Sequence, residues 1–182
     1  MDISNNKLKE IIADPIDDRE IKHEDKEIKI ISYNELEKYT TIDELLPDSK
    51  EYLMLLYQTD SENSGRWTCL VRNDDSIYYF DSYGKPIDEP MKWDTNKVMK
   101  TPHLTNIIDN SDERFKIYEN TKQYQKQTFG INTCGRHCIC FIEFNKNLDF
   151  DLDSYYLAMK LLKKDLKQDY DSIVSGLINV ML

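Results

Sequence analysis

Hydrophobic and polar positions alternate in a way that divides the chain into a strand-rich first half and a helix-rich end. IKIIS, residues 28–32, is a short apolar run of strand length. In SYNELEKY, Ser32 precedes a helical pattern with Glu35 three residues on, the spacing of a capping box, and Pro47 ends the short helical stretch behind it. Glu51–Gln58, EYLMLLYQ, is a continuous apolar run bounded by polar turn residues, and RWTCLVRN forms a second run behind Gly65. The turn residues Asn73-Asp74-Asp75 lead into SIYYFDSYG. Three consecutive short strands predict an antiparallel meander with Asp81 at its far end.

From Lys85 to Gln127 the pattern is irregular and punctuated by Pro86, Pro90 and Pro102, which predicts loops with one or two short helices. After Thr133 the periodicity changes. CGRHCICFIEFNKN is long enough for a buried helix, SYYLAMKLLKKDLKQDY repeats apolar residues at helical spacing, and DSIVSGLINVML predicts a last helix packed on the core. The expected architecture is α+β, a central antiparallel sheet flanked by helices. Its 182 residues suit one compact domain, expected over 29–182, behind a charged, partly ordered lead-in over 1–28.

Composition narrows the chemistry. The net charge is -10, and no Lys/Arg cluster interleaved with aromatics offsets it, so direct nucleic-acid binding is not supported. No stretch approaches the roughly 20 apolar residues of a spanning helix, and MDISNNKLKE lacks a signal-peptide core, so neither membrane insertion nor secretion is expected. Cys69, Cys134, Cys138 and Cys140 lack the spread of a disulfide framework and read as free thiols in a reducing compartment.

Cys134 is set apart from the other three. It follows the turn-like Gly130 and Asn132 and opens the buried helical run, where the helix dipole favours a thiolate, and Gly135 leaves room for an approaching carbonyl. Cys138 and Cys140 read as small core hydrophobes. A zinc site built from Cys134, His137, Cys138 and Cys140 is disfavoured, because ligands crowded on one helix cannot all point at one tetrahedral centre.

SGRWTCLVRN, YYFDSYG and the Q-x6-C-G spacing ending at Cys134 resemble, in that order, the His-Trp, Asp/Glu and Gln…Cys-Gly motifs of the adenain-like cysteine proteases. INTCGRHCICFI is similar to the enzymes of virophages, Polinton-type elements and other large DNA viruses, and the likeness runs from about Lys29 to Leu182. The resemblance implies a papain-like fold with Cys134 as nucleophile, Asp81 orienting the base, and Gln127 as oxyanion donor with Gln125 as its fallback. Trp67 and Gly135 fall beside the cleft, although Trp67 and Tyr83 read first as packing residues and only second as substrate contacts.

The departure is at residue 66. Where the family has its catalytic His before the Trp, this chain has Arg66 before Trp67, and a guanidinium neither accepts the thiol proton nor returns one to a leaving amine. His137 lies three residues after Cys134 on the same predicted helix, with its ring expected alongside the thiol and away from Asp81. His103, in TPHLTN, and His23, in the lead-in, are expected in solvent.

Three functions are implied by the resemblance. The first is a cysteine endopeptidase that cleaves virion precursors during maturation, in the host cytoplasm or viral factory and packaged in the virion, with an activating peptide as a partner and no cofactor required. The second is a pseudoprotease that holds a peptide beside Arg66 without turning it over. The third is a deconjugase for ubiquitin-like modifiers, which share the fold.

Overall fold

A computed structural model describes residues 28–61, 64–93 and 100–181. The lead-in expected over 1–28, with His23, lies outside these residues except for Ile28. The protein is a mixed α+β structure built on a five-stranded sheet, β1 (Ile28–Ser32), β2 (Lys50–Ser61), β3 (Ser64–Asn73), β4 (Ser76–Phe80) and β5 (Lys116–Glu119), arranged in sequence order. The meander β2–β3–β4 is antiparallel, as the three apolar runs predict. Both outer strands run parallel to their neighbours, so the sheet as a whole is mixed, not purely antiparallel.

Asp74 takes the left-handed conformation (φ 52°) that a tight β3–β4 turn demands. Gly65 faces Gln58 across the β2–β3 ladder, where a Cβ would run into the Tyr57 carbonyl. β5 is the element the sequence does not announce. Its four residues are mostly exposed, so no apolar alternation marks them, and it forms by pairing with Ser76–Tyr79.

Ser32 and Glu35 make the capping box of a 3-10 helix over Tyr33–Lys38, followed by a short α1 (Ile42–Leu45). The irregular stretch holds a 3-10 turn at Glu89–Trp93 and α2 (His103–Asp109). The C-terminal half supplies α3 (Cys134–Leu148), α4 (Leu152–Leu166) and α5 (Tyr170–Met181). α3 and α4 each end on a left-handed residue, Asp149 and Lys167, and the Asp151 side chain caps α4 by accepting from Ser154 N–H at 2.8 Å.

Both sheet faces are covered, which is why β2 reads as an unbroken apolar run. One face packs Trp67, Cys69, Val71 and Phe80 against Cys138, Phe141, Tyr155 and Val174 of the C-terminal helices. The other packs Leu53, Leu55, Leu70 and Tyr79 against Tyr33, Leu36, Ile42 and Leu104. At the first interface Phe80 stacks on Phe141 at 4.9 Å between centroids, with Tyr155 edge-on to both. α3 is thereby fixed against β3, its N-terminus delivered to the end of the strand that carries Arg66. Among the described residues no helix is long and apolar enough to cross a membrane.

Candidate functional site

Register determines what meets at the end of the β3–β4 hairpin. Cys69 pairs with Phe80, so continuing the antiparallel count brings residue 68 opposite 81 and residue 66 opposite 83. Arg66 accordingly lies over the Tyr83 ring, its Cζ 3.4 Å from the centroid, and its Nη2 donates to Asp81 Oδ1 and, at 3.3 Å, to Ser82 Oγ. Both partners are out of solvent, Arg66 at 5% and Asp81 at 0% exposure. Arg66 and Asp81, both expected at the site, are thus in direct contact.

Asp81 is held from several sides. Its N–H donates to Asn120 Oδ1 at 2.7 Å, its carbonyl accepts from Asn120 Nδ2 at 2.9 Å, and its Oδ1 also accepts the Tyr83 N–H at 2.9 Å. The other carboxylate oxygen, Oδ2, is buried without a hydrogen-bond partner.

Cys134 begins α3 with its side chain half-buried. Burial pushes the thiol above its ordinary pKa, and the Arg66 charge together with the backbone amides of Trp67 and Gly135 opposes that rise without overcoming it. Cys138, one turn on from Cys134, donates to the Trp67 carbonyl at 3.6 Å, which places the first turn of α3 beside the Arg66–Trp67 strand end. The thiol at neutral pH is therefore protonated, and a base would be needed to activate it.

The histidines lie elsewhere. His137 is fully buried on α3, its Nε2 3.0 Å from Asp171 Oδ1 on α5, and burial pushes its pKa down, with Asp171 resisting. Its ring faces α5 and not Asp81. His103 differs from expectation in opening α2 half-buried, 5.8 Å from the Tyr33 ring at the second core. Neither is paired with Asp81.

The two glutamines part company. Gln125 is buried and committed, accepting from Ser82 Oγ at 2.8 Å and donating to the Ile131 carbonyl at 3.0 Å. Gln127 is exposed and lines an open groove of about 600 Å³ formed by Tyr83 and the segment 127–132. Trp67 and Gly135, expected beside the cleft, are both buried and do not line this groove; Trp67 belongs to the helix-facing core. Cys138 donates to the Trp67 carbonyl at 3.6 Å and Cys69 to the Cys138 carbonyl at 3.8 Å, so these thiols, like buried Cys140, are packing groups.

Sequence reasoning does not reach Asp171. Its carboxylate, 1% exposed, accepts from Thr133 Oγ1 at 2.6 Å, from His137 Nε2, and from Lys126 N–H at 3.1 Å. The only hint is an acidic residue in the first turn of an otherwise apolar helix, which reads as a favourable dipole contact.

No family model matches the chain. Among solved structures it is similar to a chain described as the crystal structure of the de-sumoylating protease, with a TM-score of 0.45 and 14% identity, covering 98% of this chain and 86% of that one. Uncharacterized protein V9 of Sputnik virophage is 33% identical over 146 residues, covering 72% of this chain and 81% of V9. The chain belongs to the same protein family as V9 of Sputnik virophage.

Proposed function

We propose that this protein is an adenain-like viral cysteine-peptidase scaffold that grips segments of virion proteins in the groove lined by Tyr83 and residues 127–132 and, with Arg66 in place, does not hydrolyse them. The observation that carries the reading is the buried Arg66–Asp81 pair. The carboxylate that would orient a base instead neutralises a cation that cannot serve as one. The raised pKa of Cys134 agrees with a thiol that lacks its proton acceptor. Kinship with a virophage protein supports a viral setting, and so virion precursors as the peptides held, in the host cytoplasm or viral factory. In this reading Gln127, free in the groove, is the residue positioned to meet a bound carbonyl, while Gln125 holds the loop.

The endopeptidase reading retains one specific support, a thiol at the N-terminus of a 15-residue helix with two backbone amides directed at it. The two readings separate on binding and cleavage of virion-precursor peptides by the unaltered chain, by Arg66→His and by Cys134→Ala. Binding without cleavage by the unaltered chain, and cleavage by Arg66→His, is the expected result. Cleavage by the unaltered chain that Cys134→Ala abolishes would overturn the binding reading in favour of the peptidase.

A further inference from the structure

The groove-lining segment 127–132 has both of its ends fixed by a single carboxylate. Asp171 accepts the Lys126 N–H where the segment begins and the Thr133 hydroxyl where it ends, while Lys126 Nζ reaches Asp169 Oδ2 at 2.6 Å. Gln125 ties the segment a third time through the Ile131 carbonyl. Such a strap is ordered before any ligand arrives, which lowers the entropic cost of binding.

What the strap presents is unusual for a surface loop. Phe129 is fully exposed at 106% and shares the groove lining with Ile131 and Tyr83, and Gly130 takes the left-handed conformation (φ 81°) beside it. A fully exposed phenylalanine on a pre-ordered loop leaves apolar area uncovered, and burying it is favourable. Charge identifies what would cover it. Among the described residues no ionised side chain lines the groove. The nearby cations Lys126 and Arg66 are matched already, the first by Asp169 and the second by Asp81. Gln127 and Thr128 add the amide and hydroxyl groups that pair with an extended backbone.

Resting on the peptide-holding reading of the site, we propose that the strap 127–132 is a specificity element that selects an uncharged, extended peptide segment bearing one large apolar side chain, which packs against Phe129 and Ile131. A segment carrying a carboxylate or ammonium at that position would enter a lining that offers no partner for its charge.

The test uses fluorescence polarisation with capped eight-residue peptides of a Ser/Asn/Gly background, carrying Ala, Leu, Phe, Glu or Lys at one central position. The expected result is that Leu and Phe peptides bind about tenfold or more tightly than Ala, Glu or Lys peptides. Phe129→Ala removes that preference, and Phe129→Leu keeps it. Thr133→Val, which releases one end of the strap and leaves Phe129 in place, weakens the Leu and Phe peptides severalfold. Binding of all five peptides with equal affinity, or an unchanged preference in Phe129→Ala, overturns the specificity role and leaves the peptide-holding reading standing. Absence of binding by every peptide overturns both.

Discussion

Removing the carboxylate of Asp81 is the sharpest perturbation the site allows. In Asp81→Ala the Arg66 guanidinium keeps its burial, stacked on Tyr83 and 5% exposed, and loses the charge that compensates it. The Tyr83 N–H loses its acceptor as well. Breaking one side of a buried ion pair costs about 3–5 kcal/mol, because a desolvated charge loses its counter-charge. For a chain of this length each kcal/mol moves the melting midpoint by roughly 2–4 °C, so the variant is expected to melt about 6–20 °C below the parent. The double variant Arg66→Met/Asp81→Leu removes both charges, fills similar volume, and is expected to recover most of that loss, since replacing a buried pair by packed apolar groups is commonly neutral or better. Urea unfolding of the parent, both singles and the double closes the thermodynamic cycle. A loss below about 1 kcal/mol in Asp81→Ala, or a double variant no more stable than the worse single, would refute the claim that the two charges depend on each other in a dry site.

Alkylation of the half-buried Cys134 by iodoacetamide is expected to rise with a midpoint above the ordinary thiol value of 9.0, and Arg66→Met is expected to move that midpoint higher by removing the opposing charge; mass spectrometry of the labelled Cys134 peptide reads both. His137 is expected to make the fold acid-sensitive: its folded pKa lies below 6.5, so as pH falls through 6.5 the unfolded chain takes the proton first and stability drops. The charges felt at that ring are Asp171 and Asp169, which favour protonation, and Arg66, which opposes it. Urea midpoints should therefore fall between pH 7 and pH 5.5 in the parent and fall less in His137→Gln; equal slopes would show that His137 does not set the acid sensitivity. Phe141→Ala, which empties the stack on Phe80, should cost about 3–5 kcal/mol in urea unfolding, with a loss under 1 kcal/mol indicating a core that closes over the gap.

Legibility from sequence tracks burial. β2, β3 and β4 are long or well punctuated, and their apolar runs and the Asn73-Asp74-Asp75 turn announce them; the helix opened by Cys134 is equally plain because so much of it is buried. β5 carries no such mark, because an exposed four-residue edge strand is specified by its neighbour and not by its own pattern. The proximity of residue 66 to Asp81 can be read from strand count once the hairpin is known. That Arg66 would be buried and paired cannot, since arginine seldom goes inside without a partner and the partner is a tertiary fact. Asp171 is illegible for the same reason. Its three hydrogen-bond donors lie 34 or more residues upstream, at Lys126, Thr133 and His137.

The order of strands across the sheet is the order in which they are synthesised, and this gives the site a history. Arg66 and Asp81 are 15 residues apart on one hairpin, whereas Cys134 lies roughly fifty residues further on. Contacts close in sequence form early and distant ones late. Both charges therefore leave the ribosome before the cysteine does, and α3 docks onto a strand end that already carries them. A chain with His at residue 66 would bring out an imidazole and a carboxylate in the same order, so the residue that separates the two proposed readings lies in the β3–β4 hairpin, ahead of the thiol.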